Sequence, residues 1–372
     1  MDDDGNSTSD ETTALNRTAP AFFLVLAETN SILIPVLYAF VLLIGVAGNA
    51  MVIYVILANK YMRTCANMLF LNLAVSDLLF LVFCIPLEAA YVITKYQLEL
   101  GNLACKMLKY TTFVCTTVGA YSLAAICVFR CRAVVSPIRA SQFLTTRHSL
   151  STTVVIWVTI LAVNSPVAVY YNERIGCSIE VATELEFVLL LSLMVGVDFL
   201  LPVAIVVIAT VVIVIEVKKC KFSTEEQLLL VHGYSRKVTA LAIAVAGVFV
   251  VCWGPFNFLF VYISCGGGGD QKVMGILNIS ALFLAYSNSC LNPIIYNFAS
   301  KEFRKSFRLT ISNTCKTRKN RRRSRKMSST KTKVSIDSAI NLQECMGFIA
   351  SKEQTERIPV RSGCGESARS LC

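Results

Sequence analysis

Asp77 stands in LNLAVSDLLFL, a stretch with no other charge, and Asn49 in GVAGNAM and Asn288, Ser289 and Asn292 in YSNSCLNPIIY have comparably apolar surroundings. A carboxyl group at membrane depth is costly unless protein or water answers it. The five side chains therefore predict a hydrated polar cluster able to hold a proton or a sodium ion. The plainer reading is packing glue, polar groups bonding across helices for about 1 kcal/mol each. A second charged group, Arg130, ends the apolar run of AAICVFRCRAVVSP, flanked by Phe129 and Cys131 rather than by an acid. Enzyme chemistry is not expected. The two histidines, His148 and His232, fall in connecting segments. No His, Cys and carboxylate set has metal-ligand spacing, and neither a phosphate-binding loop nor a nucleophile–base pair is found.

Such groups need a frame that keeps them at depth. With 55% hydrophobic and 16% charged residues and a mean hydropathy of +0.61, the chain is too apolar for a soluble globular protein. Runs of the ~20 residues needed to cross ~30 Å of hydrocarbon fall at Ile32–Leu57, Met68–Val92, Cys105–Val128, Leu150–Tyr171, Phe187–Val217, Val238–Ile263 and Val273–Phe298. They are continuously apolar rather than alternating, which argues against a membrane barrel and predicts an all-α membrane protein, a seven-transmembrane helix bundle. Basic residues gather in alternate connections (Lys60 and Arg63; Arg132, Arg139 and Arg147; Lys218, Lys219, Lys221, Arg236 and Lys237), whereas the N-terminal segment is acidic. The positive-inside rule then puts the N-terminus outside and the tail in the cytoplasm. No signal peptide is read, so the first helix is expected to direct insertion. The expected organisation is an extracellular tail (1–30), the seven-helix domain (31–298), an amphipathic membrane-surface helix (299–311) and a disordered cytoplasmic tail (312–372).

Asn6 and Asn16 open acceptor sequons in the outer segment and are expected to carry glycans. Of the 15 cysteines, most lie within spans or on the reducing side, where disulfides are rare. Cys105, at the outer end of the third span, and Cys177, in the second outer loop, are placed to bridge, with Cys265 as the competing partner. Prolines at 86, 166, 202, 255 and 293 interrupt the spans; each removes a backbone hydrogen bond and opens a bend. Pro255, with Trp253 and Phe249 nearby, is the most specific of these. Arg130 lies about 37 Å along the third helix from Cys105 at ~1.5 Å per residue, at the inner boundary, where snorkelling is the plain alternative to a function. Beyond the seventh span, NFASKEFRKSFRL puts Phe298, Phe303, Phe307 and Leu309 on one stripe and Lys301, Arg304, Lys305 and Arg308 elsewhere, a short helix for the anionic inner leaflet. Cys315 beyond it is a palmitoylation candidate. The basic, serine-rich segment that follows carries kinase-site candidates at Ser324, Ser328, Ser329 and Thr330; behind seven spans it is not a nucleic-acid binder.

Asn49 after Gly48, LAVSD with Asp77, Cys105, Arg130, Trp157, Cys177, Pro202, CWGP and NPIIY occur together and in this order. In this the chain, from 31 to about 310, resembles the rhodopsin-like G-protein-coupled receptors. Within them LAYSNSCLNPIIYNFASKEFRKSF and YSLAAICVFRCRAVVSPI are most similar to the galanin, allatostatin-A, kisspeptin and somatostatin receptor group. The resemblance implies a plasma-membrane receptor with an extracellular peptide ligand, a heterotrimeric G protein, arrestin and receptor kinases as partners, contact with membrane lipid, and no cofactor beyond a sodium ion. It implies a pocket between the outer halves of the helices, at Glu88, Thr112, Thr116, Trp253, Phe256, Leu282 and Tyr286. It also implies an inner cavity that opens as helix six swings out, with Arg130, Phe249, Trp253, Pro255, Pro202, Pro293 and Tyr296 in the rearrangement. Thr112 stands where amine receptors carry aspartate, which disfavours amines, and Tyr286 stands where opsins carry the retinal lysine, which excludes covalent retinal.

The chain departs from the family pattern on the inner side. Phe129-Arg130-Cys131 replaces Asp-Arg-Tyr, Thr210 replaces a tyrosine on the fifth helix, and Gly119 replaces a serine that helps hold sodium. These changes bear on coupling and on the ion. They keep open an atypical seven-helix protein, a non-coupling or arrestin-only receptor or a ligand scavenger. The outer face is expected to offer Glu88, Glu99, Glu173, Glu180, Glu184 and Glu186 against Lys95, Lys106, Arg174 and Lys272, which would steer a basic or amidated peptide or merely keep the loops soluble.

Overall fold

In hydrocarbon the backbone must satisfy its own hydrogen bonds, which leaves an apolar run little choice but helix. A computed structural model describes residues 21–94, 98–173, 177–220, 226–299 and 303–310. Its elements are α1 (Ala21–Ala58), a 3-10 turn (Lys60–Met62), α2 (Cys65–Ile93), α3 (Asn102–Val135), α4 (Pro137–Phe143), α5 (Thr146–Val163) and α6 (Ser165–Tyr170). A two-residue hairpin follows, β1 (Tyr171–Asn172) against β2 (Ser178–Ile179). Then come α7 (Glu184–Leu191), a π-helical segment (Ser192–Leu200), α8 (Leu201–Cys220), α9 (Glu226–Ser264) and α10 (Gln271–Ala299). Residues 303–310 form α11. Among the described residues seven helical stretches are long and apolar enough to cross a membrane. The described residues up to Arg308 form one compact unit; beyond it only residues 309 and 310 are described.

The ends of the helices differ from the apolar runs. α3 continues past its apolar run to Val135, with Arg130 within the helix as expected, and α9 begins at Glu226, well before the sixth run. A helix does not have to stop where the hydrocarbon stops. Pro166 does not bend a span from within. The fourth span breaks at a turn on Asn164, and Pro166 sits in the first turn of α6, where its missing N–H costs nothing. Pro35 lies inside α1, although the sequence analysis did not single it out.

α2 and α3 form the middle of the bundle. Each is 61% buried along its membrane-crossing stretch, against 17% for the fourth span, which turns Ile156 and Ile160 inward and Val155 and Val158 outward. Buried polar side chains pin these helices together. Trp157 Nε1 donates to Asn72 Oδ1 at 2.8 Å, and Asn72 Nδ2 donates to Ser122 Oγ at 2.8 Å, which joins α5, α2 and α3. α1 and α10 approach closely at Gly48, where an added Cβ would lie 2.8 Å from the Pro293 Cβ. Only glycine permits that approach, and it is what brings Asn49 onto α10.

The apolar core has two large parts. One surrounds Phe80, Ile85, Tyr286 and the cysteine pair Cys105 and Cys177; the other surrounds Val55, Leu69, Phe70, Leu123 and Phe249, with Phe129 and Cys131 at its margin. Trp253 packs against both. On α11, Phe303 is buried, and Phe303 and Phe307 line a groove of about 320 Å³ with Ile44, Gly48, Met51 and Pro293. Tyr61 donates its hydroxyl to Ser306 Oγ at 2.9 Å. Leu309 is not on that stripe: it is 45% exposed, because six residues beyond Phe303 is about 240° around a helix at 3.6 residues per turn. The Phe298 side chain, Cys315 and the rest of the tail lie outside the described residues.

Candidate functional site

Asp77 is 5% exposed and accepts a hydrogen bond from Asn292 Nδ2 at 2.9 Å. Asn49 Nδ2 donates to the Gly45 and Ser289 carbonyls, both at 2.9 Å, so α1, α2 and α10 meet in one polar patch. The five polar residues of the sequence cluster are thus all buried in these three helices. The Oδ1 atoms of Asn49, Asn288 and Asn292 are buried without a hydrogen-bond partner, which leaves acceptors free near the carboxyl group. Gly119 adds no side chain here; a Cβ on it would lie 3.8 Å from Ser76 Oγ.

Toward the disulfide end, Cys105 and Cys177 are bonded, with Cα atoms 5.6 Å apart. The bond ties the hairpin to α3, while Cys265 is free and exposed. Tyr171 of the hairpin is buried, its ring 6.3 Å from that of Phe113, and burial pushes its hydroxyl up to about 12.

Two of the expected surface charges are otherwise engaged. Glu88 is 8% exposed and pairs with Lys109 at 2.8 Å, a partner the sequence analysis overlooked. Glu186 is a helix cap, accepting from the Ala182 and Thr183 amides while Thr183 Oγ1 accepts from Glu186 N. The side chains of Lys95, Arg174 and Lys272 lie outside the described residues.

Of the expected pocket residues, Glu88, Thr112 and Tyr286 are buried. Tyr286 is 3% exposed and packs its ring against Phe80 and Tyr38; the Thr112 hydroxyl donates to the Leu108 carbonyl of its own helix; Leu282 joins the core. Thr116, Trp253 and Phe256 do meet, in a cavity of about 30 Å³ between α3, the π segment and α9. Phe113, Thr117, Met194, Asp198, Phe199, Phe249 and Asn257 complete its wall.

Asp198 was missed in the sequence, yet the signal was there: a carboxylate inside the fifth apolar run, four residues before Pro202. Pro202 has no N–H to offer the carbonyls of the preceding turn, and that turn is a π-helix. In the i to i+5 pattern the Val197 carbonyl would look to residue 202; it accepts instead from the Tyr121 hydroxyl at 2.9 Å. The wide turn leaves Asp198 8% exposed and lining the cavity. Asn164 Nδ2 donates to its Oδ1 at 3.2 Å, whereas Asp198 Oδ2, Asn164 Oδ1 and Thr117 Oγ1 are buried without partners.

At the other end, Arg130 on α3 and Thr210 on α8 are both half-buried. Phe249 and Trp253 lie 6.5 Å apart between ring centroids, and Pro255 and Pro293 lie inside α9 and α10. The Tyr296 side chain, Asn6 and Asn16 are outside the described residues.

A family model described as 7 transmembrane receptor (rhodopsin family) matches residues 48–296. The chain is 30% identical over 301 residues to the allatostatin-A receptor of Bombyx mori, covering 76% of this chain and 81% of that one. It is 29% identical to galanin receptor 2a of Danio rerio (76% and 78% covered) and 31% identical to somatostatin receptor type 1 of Rattus norvegicus (75% and 72% covered). The chain belongs to the rhodopsin family of seven-transmembrane receptors, which are not enzymes.

Proposed function

We propose that this member of the rhodopsin family is a plasma-membrane receptor for an extracellular neuropeptide, with its N-terminus outside and its tail in the cytoplasm. It passes the signal to a heterotrimeric G protein when the sixth span, α9, swings outward at the Arg130 end. The observation that carries this reading is the position of Trp253, which lines the cavity and packs against both parts of the core. A ligand that displaces Trp253 must disturb the packing around Phe249. Pro255 on the same helix removes a backbone hydrogen bond where the bend is needed. The names of the relatives, receptors for allatostatin-A, galanin and somatostatin, supply the ligand class.

A sodium ion fits the Asp77 patch. Asp77 supplies the charge, and the unpartnered Asn288 and Asn292 oxygens supply neutral ligands; bound there, the ion would hold α2 and α10 in one arrangement. Arrestin, receptor kinases and anionic lipid are the expected partners of the basic tail and α11, with Asn6 and Asn16 glycosylated and Cys315 palmitoylated.

The test applies allatostatin-A, galanin and somatostatin peptides, then a wider amidated peptide library, to cells carrying the full chain, with G-protein activation and arrestin recruitment read in parallel. G-protein activation by a peptide is the expected result. Phe129, Cys131 and Thr210 sustain a second reading, the arrestin-only or non-coupling receptor. Its signature would be peptide binding with arrestin recruitment and no G-protein response.

A further inference from the structure

From the free oxygen of Asp198 at the aromatic cavity we infer that this wall is a subsite for a cationic group, the ammonium or guanidinium head of a ligand. The inference deepens the peptide-receptor reading and rests on it for the identity of the natural ligand.

A carboxyl group that is more than nine-tenths buried normally has both oxygens answered. Asn164 answers Oδ1, while Oδ2 has no partner although Asp198 lines a cavity. Thr117 Oγ1 and Asn164 Oδ1 are buried and unpartnered too, so beyond the single proton of the Thr117 hydroxyl the place has acceptors to spare. An ammonium or guanidinium group is composed of donors only. Phe113, Trp253 and Phe256 line the same cavity, and aromatic faces attract a desolvated cation. Glu88, the other buried acid toward the disulfide end, already has Lys109. At about 30 Å³ the space suits a water or two, or the head of one side chain, and not a whole peptide. The ligand would therefore send in one lysine, one arginine or an amino terminus and leave its remainder nearer the hairpin. Because the cation would sit against Trp253, its arrival and the signalling movement share a residue.

The test is thermal unfolding of the purified full chain with millimolar phenethylguanidinium or its neutral isostere phenethylurea. The cation should raise Tm by roughly 2–4 °C near tenfold excess over its Kd, and the urea should leave it unchanged. In Asp198→Asn, whose side-chain oxygen can still accept from Asn164, the cation's shift should vanish. Equal shifts from the two probes, no shift from either, or a cation shift that survives in Asp198→Asn would overturn the inference. The comparison of probes on the unmodified chain stands even if the variant does not fold. A parallel screen with amidated peptides, each paired with a form carrying citrulline for arginine or norleucine for lysine, separates the two readings. Peptides that activate equally in charged and neutral form would leave the peptide receptor standing and remove the cation subsite. A cation shift without activation by any peptide would do the reverse.

Discussion

Asp77 and Asp198 each accept a hydrogen bond from an asparagine of another span, Asn292 at 2.9 Å and Asn164 at 3.2 Å, and both are more than nine-tenths buried. Their settings differ. Asp77 sits on regular α-helix among the polar side chains of α1 and α10, and neither of its oxygens is buried without a partner. Asp198 sits on a π turn, with one oxygen unanswered and an aromatic cavity beside it. The same side chain is a joint between helices in one place and an open recognition group in the other. What decides between these roles is the backbone geometry and the neighbours.

Substitutions should separate the two roles. The largest effect is expected for Asp77→Leu, which strands the Asn292 amide in the core; about 2 kcal/mol is lost, and Tm should fall by roughly 4–8 °C. Tyr121→Phe removes the donor to the Val197 carbonyl and should cost about 1 kcal/mol, read as a smaller fall in Tm. Asp198→Leu should cost less still. It strands the Asn164 amide but also removes a buried oxygen that had no partner, and the two changes are of similar size. A loss equal to that of Asp77→Leu would break the comparison. The smallest effect on stability is expected for Phe129→Asp, which puts a carboxyl group beside Arg130. Its readout is basal G-protein activation at matched surface expression. If, as the family pattern implies, an acid beside the arginine favours the resting state and a fifth-helix tyrosine the active one, putting the acid back should lower basal activity by a factor of a few, in keeping with an ion pair worth ~1 kcal/mol at a wet boundary. No fall would show that the acid is not a resting-state lock in this chain.

The spans were legible because twenty apolar residues in a row leave a chain few alternatives. The Asp77 cluster was legible for a related reason: its members stand out as polar letters in apolar words, and LAVSD and NPIIY supplied their neighbours. The same signal marked Asp198, but it was passed over because no polar partner stands near it along the chain; Asn164 and Thr117 reach it only through the packing of other helices. Glu88 illustrates the limit again. Its partner Lys109 lies on α3, and a list of charges in order cannot show that two of them cancel. The π turn left no trace either, since in a uniformly apolar stretch a change of period moves one apolar side chain into the place of another.

That turn has a further consequence, for length. A π turn carries one residue more than the α turn it replaces, so the fifth span holds a spare residue. Deleting Val195 should let the segment close as ordinary α-helix with Glu184–Leu191 and Leu201–Cys220 still facing as before, whereas deleting Val206 from α8 would rotate one half against the other by about 100°. The fifth helix thus has a place where its length can change without its two halves losing their alignment.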